Sequence, residues 1–94
     1  MDTDAIGTVL EEMYPASLAE SWDNVGWQIR VPGQPVSGIL VALDVTPGVV
    51  DEAARLGCNL IFAHHPMLFK PVGSIDLGSP TGSLVGKAIR GGIS

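Results

Sequence analysis

The stretch LIFAHHP at residues 60–66 is the most informative part of this sequence, because an apolar run ends there in two adjacent histidines and a proline. A short apolar run bounded by turn-forming residues is typical of a strand buried on both faces, as in a parallel sheet. Pro66 favours an extended conformation for the residue before it and cannot donate a hydrogen bond to a neighbouring strand. We therefore predict a buried strand that delivers His64 and His65 to the carboxyl end of a sheet.

The two histidines have the chemistry of metal ligands. Side chains of neighbouring residues point to opposite faces of a strand, so both rings can serve one cleft only where the strand is ending. Neutral imidazole commonly binds zinc, iron, nickel and copper. Two adjacent rings do not easily bind a single ion, but each could bind one ion of a pair about 3.5–4 Å apart. The dipeptide alone fits equally well a pair that hydrogen-bonds to loops and binds nothing.

The residues before this stretch predict a strand, a helix and a second strand. Residues 38–45 form an apolar run, and Thr46 and Pro47 are suited to the cap and the first position of a helix. Gly57 is placed to end that helix in a left-handed conformation, and residues 59–63 form the strand before the histidines. Such a βαβ unit has parallel strands and a right-handed crossover.

Four other residues are candidates for supporting roles. Asp44 follows the first predicted strand and His64 the second, so the two should be neighbours at the carboxyl edge, where ligands bind in such sheets. Asp44 fits two roles equally, orienting an imidazole or capping the following turn. Asp23 fits a local turn better than a cleft, and Lys70 fits a solvated side chain better than a contact to an anionic substrate. Cys58 fits a small buried hydrophobe better than a reactive thiol.

The flanking segments predict further elements. A first helix capped by Asp2 or Thr3 would carry an apolar stripe that packs in the core, and residues 25–29 alternate as in a short strand. A third helix would open at Ser79 or Ser83 and stop at two glycines, before the start of another strand at residues 93–94. The apolar stripe of the first helix consists of Ile6, Val9, Leu10 and Met13.

Composition limits the class of protein. The chain has 94 residues, of which 46% are hydrophobic and 16% charged, so we expect at most one globular domain. Its net charge of −5 and lack of a basic cluster disfavour nucleic acid and anionic membranes as partners. The single cysteine and the acidic N-terminus, which does not resemble a signal peptide, favour a cytoplasmic location. No apolar run approaches the roughly 20 residues of a membrane span.

The metal site and the sheet are both incomplete in this sequence. A catalytic zinc usually has three protein ligands, and a two-metal site usually has bridging carboxylates. There is no third histidine, and of the acidic residues only Asp23 and Asp44 are suitably placed. Helices should also cover both faces of a parallel sheet. We therefore expect an α/β fold, a layered sheet with flanking helices, in which residues 1–94 are the N-terminal fragment of a larger metal-binding domain.

Three motifs resemble a known family over nearly the whole chain. These are SWDNVG at residues 21–26, ILVALDVT at residues 39–46, and AHHP at residues 63–66 with LFKP at residues 68–71. In this order and spacing they resemble the N-terminal region of the dinuclear metal centre hexameric proteins, also called the GTP cyclohydrolase 1 type 2 or Nif-three-like family. Trp27 stands where we expect a leucine in that family.

The resemblance implies a toroidal homo-hexamer and a site for two divalent ions, such as zinc, iron or manganese. In it, His64 and His65 would each bind a different ion. The family's other ligands, an aspartate shortly beyond residue 94 and a histidine and a glutamate near the C-terminus, are absent here, which predicts a fragment or a short form. The implied function is hydrolysis of a purine nucleotide such as GTP, or of a phosphate ester. The alternative is a non-enzymatic ring that binds metal or a partner.

Overall fold

The computed structural model describes residues 1–13, 26–68 and 72–94. In that part of the chain, strands β1 and β2 pair in parallel and are joined by helix α2, which confirms the predicted βαβ unit and the α/β class. Both strands are shorter than the predicted segments. In chain order the elements are α1 (Thr3–Met13), β1 (Ile39–Ala42), α2 (Pro47–Leu56), β2 (Leu60–Ala63) and α3 (Pro80–Arg90).

The two ends of helix α2 follow the predicted capping. The Thr46 hydroxyl accepts a hydrogen bond from the Val49 N–H at 3.2 Å, and Pro47 is the first helical residue. Gly57 closes the helix with a φ of 74°, a left-handed conformation that glycine adopts without steric cost. These caps set the length of the crossover and therefore the register in which the two strands meet.

The hydrophobic core lies on one face of this sheet. Leu40 and Ile61 are opposite each other in the parallel register, so their side chains share that face. Helices α2 and α3 cover it, and the chain after α3 adds one more apolar side chain. The buried residues of this cluster are Val50, Ala53, Leu84 and Ile93.

Helix α3 begins at the first of its two predicted caps. The Ser79 hydroxyl accepts the Gly82 N–H at 3.0 Å, which leaves Ser83 inside the helix. Two glycines follow the helix, as predicted, and Gly92 has a φ of 66°. In the described part of the chain, no helix is long and apolar enough to cross a membrane.

The end of the chain pairs with the free edge of β2. The Ser94 N–H donates to the Asn59 carbonyl at 2.9 Å, and the Ile61 N–H donates to the Ser94 carbonyl at 2.8 Å. These two bonds flank Leu60 in the pattern of a parallel neighbour. Residues 93–94 therefore lie where the sequence predicted the start of another strand, and β2 has neighbours on both sides.

Helix α1 departs from the predicted core packing. Val9 and Met13 are 38% and 60% exposed, so the prediction that they pack in the core is wrong, whereas Ile6 and Leu10 of the same stripe are half-buried. The helix is attached at its first turn instead, where the buried Thr3 hydroxyl donates to the Val31 carbonyl at 3.2 Å. Asp2 is the N-cap, because its carboxylate accepts the Ala5 N–H at 2.9 Å.

The predicted strand at residues 25–29 is also wrong over its described part. Residues 26–29 form bends rather than a strand, and residue 25 lies outside the described residues. Gly26 has a φ of 112°, which a regular strand does not allow. The Gln28 side chain then turns back and donates to the Gly26 carbonyl at 3.3 Å. Trp27 is 40% exposed, so the alternation did not mark a buried face.

Candidate metal centre

The backbone pairing of the sheet continues into the histidine pair. The His64 N–H donates to the Ala42 carbonyl at 3.0 Å, and the His65 N–H donates to the Leu43 carbonyl at 2.9 Å. Both side chains are exposed, and their ring centroids are 4.8 Å apart with an interplanar angle of 58°. The pair therefore lies just past the carboxyl end of β2, as the sequence predicted.

Asp44 holds the ring of His65. Nδ1 of His65 and Oδ1 of Asp44 are 2.7 Å apart. Because an ionised carboxylate only accepts hydrogen bonds, the proton of this contact belongs to Nδ1. The lone pair of the neutral ring is then on Nε2, where it can bind a metal ion. Of the two roles open to Asp44, the structure shows the one that orients an imidazole.

The strand register explains this contact. Ala42 and Ala63 are partners at the ends of β1 and β2. Asp44 and His65 each follow two residues later, so they leave the sheet at the same level. Their side chains are 62% and 59% exposed, and a polar contact so open to water adds little to stability. The contact therefore orients the ring more than it stabilises the fold.

The histidines lie on the wall of an open cavity of about 1070 Å³. The polar groups on this wall include both imidazoles and Gln28, and the remaining surface is mostly apolar. A concave, largely apolar space with a few polar groups is the usual form of a small-molecule site. Apolar side chains that line it include Leu10, Trp27, Val41, Phe62 and Met67.

The other predicted site residues do not join the pair in the described structure. Asp23 and Lys70 lie outside the described residues. Cys58 is half-buried, with its Sγ 2.9 Å from the position of a Cβ added at Gly38, which fits the predicted packing role. Across residues 1–13, 26–68 and 72–94, no group of three histidine, cysteine, aspartate or glutamate side chains could hold a metal ion.

One residue of the site was not predicted. The Gln28 Oε1 accepts the Leu68 N–H at 3.0 Å and so contacts the loop that follows the histidines. The two residues are 40 positions apart. The sequence showed only a polar residue between apolar ones, which is equally typical of the solvent side of a strand.

Known proteins with a similar sequence or fold place the chain in a family. The family model of DUF34/NIF3, described as NGG1p interacting factor 3, matches residues 1–94. The chain therefore belongs to the DUF34/NIF3 family, which confirms the resemblance seen in its three motifs.

Relatives and solved structures agree with this assignment. A GTP cyclohydrolase 1 type 2 homolog of Halalkalibacterium halodurans is 43% identical over 82 residues, which is 87% of this chain and 22% of the relative. The Staphylococcus aureus protein SA1388 is 42% identical with a TM-score of 0.92. The Bacillus cereus protein related to NIF3 is 42% identical with a TM-score of 0.90. Each structure match covers 99% of this chain and 26% of the solved chain, so the chain spans about a quarter of their length.

Proposed function

We propose that His64 and His65 are ligands of a two-metal site in a metal-dependent hydrolase, with each ring bound to a different divalent ion. The observation that carries this proposal is the contact between Asp44 and His65 at the wall of the cavity. A carboxylate that holds one ring nitrogen of a ligating histidine is the usual support of such a ligand, because it fixes the tautomer and the ring direction.

The donor chemistry supports zinc, iron or manganese as the ions. Imidazole binds these metals in its neutral form, and both rings are open to solvent at the carboxyl edge of the sheet. When bound, the ions would supply a hydroxide at neutral pH and polarise the bond under attack. We propose that the remaining donors lie outside the described residues, since a two-metal site needs more than two imidazoles.

The name of a relative supports a substrate class. A protein 43% identical to the chain carries the name GTP cyclohydrolase 1 type 2 homolog. We therefore propose a purine nucleotide such as GTP, or another phosphate ester, as the substrate. The cavity is large enough for a nucleotide. The chain itself has a net charge of −5, so divalent ions would provide the positive charge that an anionic substrate requires.

A metal titration tests this proposal. We expect the isolated 94-residue chain to bind zinc or manganese weakly or not at all, because two ring nitrogens are the donors in place in the described residues. A chimera in which residues 1–94 replace the matching segment of SA1388 should bind two ions per chain and lose them with His64→Ala plus His65→Ala. Submicromolar binding of two ions by the isolated chain would show that we have counted the donors wrongly. A chimera that folds but binds no metal would refute the proposed site.

A second candidate is a non-enzymatic, ring-forming protein that binds metal or a partner. The description of the family as an interacting factor favours it, and so does an apolar stripe at the edge of the sheet. Ile39, Val41 and Leu43 are 45%, 71% and 69% exposed there, and exposed apolar patches often mark interaction surfaces. Metal binding by the chimera without turnover of a panel of nucleotides and phosphate esters would favour this second function.

A further inference from the structure

We propose that Gln28 is a positioning residue for His64 and His65. It acts by fixing the loop that follows the two histidines. This inference rests on the proposed metal site. The Leu68 N–H donates to the Gln28 Oε1 at 3.0 Å, and the Gln28 Nε2 donates to the Gly26 carbonyl at 3.3 Å. The oxygen and the nitrogen of the side-chain amide therefore both have hydrogen-bond partners. Because Nε2 can only donate, the oxygen is the atom that faces the Leu68 N–H.

The position of this contact along the chain gives it a role. Before Pro66, the backbone of the histidine pair is fixed by the two hydrogen bonds to the end of β1. Pro66 has no N–H and cannot extend that pairing. The Leu68 N–H follows two residues later and is bound to Gln28. The segment that carries His64 and His65 is thus held at both ends, by β1 before the proline and by Gln28 after it.

Gly26 makes this arrangement possible. Its φ of 112° lies in a region that side chains other than glycine rarely adopt, and it bends the chain so that Gln28 can reach back to the Gly26 carbonyl. Gln28 is half-buried on the wall of the same cavity as the histidines. The Gln28 amide is partly shielded from water, and its nitrogen is held by the Gly26 carbonyl. Its oxygen is therefore held in place to accept the hydrogen bond from the loop.

The hydrogen bond between Leu68 and Gln28 should raise metal affinity, because it helps to hold the imidazole rings of His64 and His65 in one orientation. A ligand that is already oriented loses less freedom when it binds, so affinity falls when the support is removed. Net hydrogen-bond energies correspond to a loss of about three- to tenfold in zinc affinity. A residue that only stabilised the fold would lower the unfolding temperature without a selective change at the rings.

The test compares three variants of the protein with the wild type. Gln28→Met keeps the length of the side chain and removes both hydrogen bonds, whereas Gln28→Glu keeps an acceptor for the Leu68 N–H. Gln34→Met is the matched control, because Gln34 is also half-buried and its amide donates to the Gly92 carbonyl at 2.7 Å, away from the histidines. The measurements are the Leu68 amide exchange rate, the imidazole ¹⁵N signals of His64 and His65, and zinc affinity by calorimetry, the last in the SA1388 chimera that carries residues 1–94.

We expect Gln28→Met to speed exchange of the Leu68 amide, shift the imidazole signals and weaken zinc binding by about three- to tenfold. Gln28→Glu should restore slow exchange, and Gln34→Met should leave the imidazole signals unchanged. Unchanged Leu68 exchange and imidazole signals in Gln28→Met would overturn the inference, whether or not zinc binds. Equal shifts in Gln34→Met would also overturn it, because they would show a general loss of structure. Absence of zinc binding by the folded SA1388 chimera that carries wild-type residues 1–94 would instead count against the proposed function.

Discussion

The βαβ unit and helix α1 are held in the structure by different kinds of contact. Helix α2 buries Val50 and Ala53 against the sheet, with 2% and 0% of each exposed. Helix α1 leaves Met13 60% exposed and is fixed through the Thr3 hydroxyl at its first turn. The histidines follow the buried unit directly, and residues of α1 and of the bend at residues 26–29 line the same cavity. The histidines therefore follow a packed unit, whereas the first turn of α1 is held by polar contacts.

The largest expected effect comes from Gly82→Ala in helix α3. An added Cβ would lie 1.8 Å from the Asp76 carbonyl oxygen, and that backbone atom cannot move aside cheaply. We expect the free energy of unfolding to fall by more than about 3 kcal/mol. Gly48→Ala is the control, because its Cβ would meet only the Thr46 hydroxyl at 3.8 Å. Urea denaturation should show little change for the control, and a tolerated Gly82→Ala would mean that α3 is loosely docked.

A large-to-small pair of substitutions tests the comparison more directly. Leu60 is 2% exposed in β2, so Leu60→Ala should cost about 2–3 kcal/mol of the free energy of unfolding. Met13→Ala in α1 should cost less than about 0.5 kcal/mol, since Met13 is 60% exposed. Thermal unfolding of both variants provides the measurement. Similar losses for the two would show that α1 is as well packed as the sheet.

Removing the N-cap of α2 should lower the stability of the whole protein more than removing the N-cap of α1. Thr46→Ala removes the cap of α2 and should lower the free energy of unfolding by about 1 kcal/mol. Asp2→Ala removes the corresponding bond in α1, but there the loss should appear as local fraying of the first turn. Hydrogen exchange separates the two outcomes, because global destabilisation speeds exchange of the β2 amides and fraying does not. Faster exchange of the β2 amides in Asp2→Ala would contradict the distinction.

The smallest effect concerns the exposed Glu52–Arg55 pair on α2. The hydrogen bond from Arg55 lowers the pKa of Glu52, and the positive charge of Arg55 acts in the same direction. A carboxyl group whose pKa is lower in the folded than in the unfolded protein stabilises the folded state at any pH above its unfolded pKa. This contribution is lost as the pH falls through the folded pKa. Arg55→Gln should raise the pKa of Glu52 in an NMR titration and reduce stability slightly at neutral pH but not in acid. An equal loss of stability at neutral pH and in acid would show that the effect does not come from the charge of Glu52.

Sequence reasoning succeeded where short-range signals decide structure. Thr46, Pro47 and Gly57 mark the ends of α2 through their own backbone preferences, and the apolar run before His64 marks a strand, although only Leu60 of that strand is fully buried and not both of its faces as predicted. These signals act within a few residues, and the structure agrees with them.

The failures lie where distant residues decide the outcome. The apolar stripe of α1 shows which face could be buried, but not what packs against it. The alternation of apolar and polar residues predicted a strand at residues 25–29, but the positive φ of Gly26 bends the chain there instead. The contact of Asp44 with His65 depends on the register of two strands, which no short segment of sequence contains. The sequence did place both residues at one edge, so it predicted the neighbourhood of the site but not its hydrogen bonds.

The most direct test of the account is the protonation of His65 and its response to zinc. We predict that imidazole ¹⁵N spectra of the wild-type protein show the proton on Nδ1 of His65, and that zinc shifts Nε2 of the same ring in the SA1388 chimera that carries residues 1–94. Asp44→Asn should weaken zinc binding by about 10- to 100-fold, the usual effect of removing the carboxylate partner of a ligating histidine. A proton on Nε2 of His65 in the wild type, or zinc binding that Asp44→Asn leaves unchanged, would contradict the claim that Asp44 prepares His65 as a ligand.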